Sequence, residues 1–271
     1  MFAPTFAATD LHVSISSQPL FEVLGLPITN AMVTGLIGVL ITVAILWYVG
    51  GKVKRGTYNR FVGLVQWVFE GLLKQIDGII PDKKLARKVT PLAVTIFFVV
   101  LISYWLSVLP GLESIMWNGV PVLRSLTSDL NFTLALALIT LITVQIYAVK
   151  YLGSLGNSQR YFRNPLKDPI GSFEGALELI GEFSRGIALA LRLFGNAFAG
   201  EVLLIVIAAL TSYASIFVLP PFLAFELFIG FIQAYVFFML CLIFTALAVS
   251  HHPSPDHSPA TAKKKKAVSR A

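Results

Sequence analysis

Apolar runs of membrane-spanning length decide what this chain can become. Several reach or exceed the roughly 20 residues needed to cross a bilayer, and the longest, Ile170 to about Leu210, contains no proline. Across 271 residues the chain is 56% apolar and only 13% charged, where a soluble domain carries about 25% charged residues. The expected class is all-α, a polytopic membrane protein. In lipid every backbone N–H and C=O needs an internal partner, which such runs find only as helices.

Residues 1–30 read as an extramembranous segment, with Pro4, Pro19 and Pro27 as breakers. They hold no Lys or Arg, so no cleavable signal peptide is expected. Residues 31–250 form the membrane domain, with spans expected at about 31–49, 92–109, 130–149, 170–210 and 216–250. In the second span Pro91 is expected in the first helical turn, after a basic loop (Lys83, Lys84, Arg87, Lys88). Residues 57–80 differ from the spans. Phe61, Val65, Val68, Leu72, Ile76 and Ile79 fall within about 80° on a helical wheel, and Asn59, Gly63, Gln66, Glu70, Lys74 and Asp77 fill the opposite face. A helix divided in this way should lie in the membrane interface. The run from Ile170 to Leu210 would be about 60 Å long as one helix, twice the hydrocarbon thickness. It and the final helix are expected to form a long tilted hairpin. Residues 251–271, rich in Pro, Ser and Lys, should be a disordered basic tail.

Basic residues sort by side. Of the 21, eighteen fall in the 50–90 loop, the 150–169 loop and the tail, and only Arg124 lies in the connections of the other side. The positive-inside rule then puts the N-terminus outside and the C-terminus and interfacial helix on the cytoplasmic side. The distribution gives no reason to expect nucleic acid. Cys241 lies within an apolar run, which leaves neither a disulfide framework nor a thiolate metal site. His251, His252 and His257 belong to the tail and read as solvated.

The remaining two basic residues, Arg185 and Arg192, lie inside the longest run. A charge at a helix centre in the bilayer costs roughly 2.5–3.5 kcal/mol, so Arg192 is a functional candidate by default. Glu178, Glu182, Arg185, Arg192 and Asn196 fall within about 80° of one another on the wheel, with Gly181, Ala188, Ala199 and Gly200 on or beside that face. Glu182 lies about 15 Å from Arg192 along the axis, too far for a pair within one helix. Arg192 is left with a partner on another helix or with a mobile anion. Glu201 points away from this stripe toward a neighbour, and Glu226 and Gln233 share one face of the last helix. Glu178 and Glu182 fall toward the cytoplasm and Glu201 and Glu226 toward the outside, two offset clusters with a cation between them.

Leu191-Arg192-Leu193-Phe194-Gly195-Asn196-Ala197-Phe198-Ala199-Gly200-Glu201 closely resembles the signature of subunit a of F-type ATP synthases. Asp129-Leu130-Asn131-Phe132-Thr133 and Gln233 also look like the family's, and the resemblance covers about residues 30–250. It implies a non-catalytic stator subunit wedged against a ring of subunit c, with subunit b of the peripheral stalk and the rest of the complex as further partners. Arg192 would face the ring's ionised carboxylate and block proton short-circuit. Asn196, Glu201, Glu226 and Gln233 would match polar positions of the outer half-channel, Glu178 one on the cytoplasmic side. Glu182, Asp129 and Asn131 complete the candidate proton-translocation set. No cofactor or metal is implied, and ATP chemistry falls to partner subunits because the chain has no phosphate-binding glycine loop. The chain departs from many relatives at Arg185-Gly186, where they carry proline after the basic residue. It departs again in the second span, Ser103-Tyr104-Trp105-Leu106-Ser107-Val108-Leu109-Pro110-Gly111, and Glu226 stands where some relatives have histidine.

The expected location is a bacterial plasma (inner) membrane. A secondary transporter binding a small anion at midplane is the alternative from another class. Such proteins often show paired repeats and broken helices, neither of which the sequence displays. A purely structural subunit with Arg192 in a static ion pair is the third reading.

Overall fold

The computed structural model describes residues 17–23, 26–109, 116–117, 120–161 and 169–250. The 251–271 tail, expected to be disordered, and most of the N-terminal lead-in lie outside the described residues. The described chain is built from six helices: α1 (Asn30–Lys54), α2 (Arg60–Ile79), α3 (Lys83–Ser107), α4 (Leu130–Tyr161), α5 (Pro169–Thr211) and α6 (Ser215–Ser250). Two small antiparallel hairpins precede α1 and α4, β1 (Pro19–Val23) with β2 (Leu26–Thr29) and β3 (Met116–Trp117) with β4 (Val120–Pro121). Five of the helices, all but α2, are long and apolar enough to cross a membrane. The chain is an all-α polytopic membrane protein.

Capping side chains set where the helices begin. Thr29 caps α1, its side chain accepting from Met32 N. Asp82 caps α3 by accepting from Lys84 N at 2.9 Å. This cap moves the start of the second span back from Leu92 to Lys83, so the basic residues expected in a loop form the first turns of α3. Pro91, expected in the first turn, lies inside the helix.

The third span, Leu130–Tyr151, ends close to the expected Val149; α4 continues past it to Tyr161, but not as one rod. Gly153 interrupts it with φ 78° and ψ 159°, a conformation open to glycine at no steric cost. The final hairpin takes its expected form. Ser212–Ala214 makes one tight 3-10 turn between α5 and α6, and Pro220 and Pro221 lie near the start of α6. At 43 residues α5 is about 65 Å long.

The centre of the bundle is the α3–α6 seam. Phe97 meets Phe98, Phe231 and Phe238 edge-on, with ring centroids 5.3, 6.0 and 6.3 Å apart, the arrangement aromatic quadrupoles favour. The apolar face of α2 is spent here rather than on lipid. Val62, Val65, Leu72 and Ile76 are buried in the same core, while Tyr58, Leu64 and Trp67 remain exposed. Small residues bring α1 in: a Cβ on Gly35 would strike Leu126, and Gly38 lies against Ser103. Asn30, fully buried, ties the outer connections together. Its oxygen accepts from Gln18 N and Ala31 N, and its amide donates to Pro121 O.

The hairpin is backed unevenly. α6 packs on α3 and α4, whereas α5 packs mainly on α4 and α6. Only 17% of the most apolar stretch of α5 is buried, against 56% for α3. One long side of α5 is therefore left for lipid or another protein.

Candidate functional site

Arg192 and Asn196 lie on that uncovered side. Both are exposed, while Leu189, Ala190, Leu193 and Ala197 turn inward. Arg192 forms no hydrogen bond or ion pair with any described residue. Phe194 and Phe198, about 200° and 240° round the helix from Arg192, stack on each other 5.7 Å apart and nearly parallel. The helix thus presents a guanidinium outward with no counter-ion among the described residues.

On the Glu201 side the groups are buried. Glu226 is 4% exposed, and its Oε1 accepts a 2.6 Å hydrogen bond from the Tyr104 hydroxyl. Two glycines make this possible. A Cβ on Gly200 would overlap the Glu226 carboxyl group, and one on Gly230 would strike the Tyr104 ring. Gly200 therefore serves contact within this chain, between α5 and α6, rather than the approach of a foreign helix. Next to it Glu201 carries a buried Oε2 with no hydrogen-bond partner. Both carboxylates line one small cavity with Tyr104, Ser107, Ser125 and Thr127. It has about 20 Å³ open to water centres, enough for a single molecule. Hydroxyls continue along its wall, Ser107 to Thr127 and Thr127 to Ser125, each at 3.3 Å. Gln233, two turns beyond Glu226, is also buried, and its side-chain oxygen has no partner.

On the other side of Arg192, Glu182 is half-buried. Its Oε2 accepts from Gln145 Nε2 at 2.5 Å and from the Tyr161 hydroxyl at 2.7 Å, and Gln145 Nε2 also donates to that hydroxyl at 2.8 Å. Gln145 and Tyr161 are 16 residues apart, about 24 Å in a straight helix. They meet because the chain turns back at Gly153. Arg185 lies over the Phe244 ring, 5.2 Å from its centroid, a cation–π contact. The departure Arg185-Gly186 also finds its reason: a Cβ on Gly186 would overlap the end of Leu141 on α4. Glu178 is half-buried on the same helix.

Asp129 and Asn131 stand apart from both clusters. Asp129 Oδ1 accepts from Asn131 N at 2.8 Å, the N-cap contact that opens α4, and the Asn131 side chain is exposed. Neither lines the cavity that holds Glu201 and Glu226. Conversely, sequence reasoning passed over Tyr104, Ser107, Ser125, Thr127, Gln145 and Tyr161. A polar side chain within an apolar span was the available signal for Tyr104 and Gln145, and Tyr104 lies in the segment where the chain departs from many relatives. Among the described residues no group of three or more His, Cys, Asp or Glu could hold a metal ion.

Residues 32–246 match a family described as ATP synthase A chain. The chain belongs to the ATP synthase subunit a family. Curated relatives of that name include one from Mycobacterium ulcerans, 32% identical over 83% of this chain and 90% of its own length. Another, from Aliivibrio salmonicida, is 31% identical over 78% of this chain and 80% of its own. A third, from Buchnera aphidicola, is 28% identical over 77% and 79%. Membership in the subunit a family thus rests on a match that takes in both carboxylate clusters and the arginine between them.

Proposed function

We propose that this chain is the proton-translocating stator subunit of an F-type ATP synthase, offering two offset half-channels to a rotating ring of subunit c. The observation that carries the reading is Arg192, a fixed cation on the uncovered side of α5 with carboxylate clusters at different depths on either side. Glu182 lies about 15 Å and Glu201 about 13 Å from it along the axis. A continuous polar path would leak. Two half-paths separated by a permanent cation need a moving carrier, and the bare face of α5 is where a ring would pass.

In this mechanism protons enter from the outside along Glu226, Glu201 and Asn196, with Gln233 two turns deeper on the Glu226 face, and protonate a carboxylate on the ring. The neutralised group can then face lipid. After rotation it meets Arg192, whose guanidinium stays charged and favours release of the proton toward Glu182 and Glu178. Asp129 serves the path only indirectly, by capping α4 through Asn131 N. Each charge moved through the potential is worth about 2.3 kcal/mol per 100 mV, so several are needed per ATP. The ATP chemistry lies on other subunits, and subunit b of the peripheral stalk holds the stator in place. The chain sits in a bacterial inner membrane with its N-terminus outside, its tail cytoplasmic and α2 along the cytoplasmic interface.

The test is Arg192→Ala in the complete synthase reconstituted in vesicles. Proton-driven ATP synthesis should be lost; synthesis at the normal rate would remove Arg192 from the gate. The continuity of α5 over 43 residues counts against a transporter built on broken helices.

A further inference from the structure

We infer that Tyr104 is a positioning residue of the outer proton path, fixing the Glu226 carboxyl group so that one oxygen is held and the other is free to carry the proton. The inference rests on the proposed role of Glu226. Tyr104 is 1% exposed, so its hydroxyl has no bulk water to turn to. It donates to Glu226 Oε1 at 2.6 Å, short for a hydroxyl–carboxyl bond. The ring cannot swing away, because it is seated against Gly230 one turn beyond Glu226. The next residue locks the same helix pair: Trp105 Nε1 donates to Leu227 O at 2.9 Å. From the opposite side the backbone at Gly200 closes on the carboxyl group.

Clamped in this way, Glu226 has one oxygen engaged and Oε2 available. Its cavity neighbour Glu201 presents a buried Oε2 that lacks a partner, and the cavity that both line has room for one water. The transfer balances without any other reactant. The O–H bond on Glu226 Oε2 breaks as the water takes that proton, the water gives up another, and a new O–H bond forms on Glu201 Oε2. Tyr104 keeps its own proton throughout and acts only by holding Oε1. A carboxyl group free to rotate would present its protonated oxygen to the wrong side for part of the time, and proximity and orientation of this kind carry a large share of a transfer rate.

The experiment uses the complete synthase in vesicles, comparing the native protein with Tyr104→Phe, Glu226→Gln and 3-fluorotyrosine incorporated at position 104. Proton-driven ATP synthesis is measured together with the infrared C=O stretch of protonated Glu226, identified as the band missing in Glu226→Gln. Tyr104→Phe should lower synthesis about tenfold, the worth of one hydrogen bond to a group of this kind, and move the band to higher wavenumber as its donor is lost. The fluorinated residue, a stronger donor of nearly the same size, should move the band lower while the fold is kept. Unchanged synthesis in Tyr104→Phe, or slowed synthesis with the band unmoved, would overturn the positioning role. Normal synthesis in Glu226→Gln would instead overturn the underlying reading of Glu226.

Discussion

Tyr104 reaches Glu226 from a neighbouring helix, whereas Tyr161 reaches Glu182 because its own chain turns back at Gly153. Both are tyrosine–carboxylate hydrogen bonds, one on each side of Arg192, yet they are held by different means. The Glu226 pair is wedged between three helices, with two glycines accommodating it and a single-water cavity beside it. The Glu182 pair is half-buried, has a second donor in Gln145, and depends on one positive-φ residue. The difference teaches that rigidity here comes from close helix approach on one side and from chain reversal on the other. In the proposed cycle, a wedged group suits loading a carrier with a single proton, and a more open group suits releasing it to water.

Four substitutions would break or sharpen this contrast. The largest effect is expected from Gly200→Val, which puts a branched side chain where the Glu226 carboxyl group lies. Overpacking costs up to about 3 kcal/mol, and proton-driven ATP synthesis should fall by about a hundredfold; near-normal synthesis would mean that the wedge is not needed. Glu182→Gln should be milder, a loss of about tenfold, because Glu178 shares its side of the helix and the new amide can still accept from Tyr161. If it matched Gly200→Val in severity, the two regions would be equally rigid in function.

Smaller changes probe packing alone. Gly186→Ala presses on the end of Leu141, a flexible side chain that can yield, so the expected cost is about 1 kcal/mol. A lowered thermal midpoint of the purified complex, with synthesis retained, would show it; loss of synthesis would place Gly186 in the proton path. Gly153→Ala forces a Cβ into a positive-φ conformation at a cost of about 1 kcal/mol. Faster amide exchange in residues 154–161, with exchange around Tyr104 unchanged, is the expected signature. Equal protection in both proteins would show that the reversal does not depend on glycine.

The sequence made the architecture legible because membrane helices announce themselves by length and polarity. α1, α5 and α6 begin and end within a few residues of where the apolar runs do. It misplaced the start of α3 because a cap by Asp82 outweighed a proline that looked like a first-turn signal. It read α2 as an amphipathic interfacial helix, but periodicity reveals that a face is buried, not by what, and so could not show that Val65, Leu72 and Ile76 join the α3–α6 core. The carboxylates and Arg192 could be found as charges where charge is costly, but their partners could not. Tyr104 lies 122 residues from Glu226, and helical periodicity carries no information about such a pairing. Tyr161 was hidden for another reason: only the reversal at Gly153 brings it to Glu182.

The overlap between Gly200 and Glu226 has a consequence for how such a chain can change over time. The two positions, on different helices, compete for one small volume, so neither has an independent repertoire. A larger residue at 200 is admissible only alongside a shorter one at 226, and a long acid at 226 requires that 200 remain glycine. Where a relative carries another residue at the position of Glu226, the position of Gly200 is the place to look for the matching change. The two residues, separated in sequence by a complete helical turn-around, share one volume and so constrain each other's replacement.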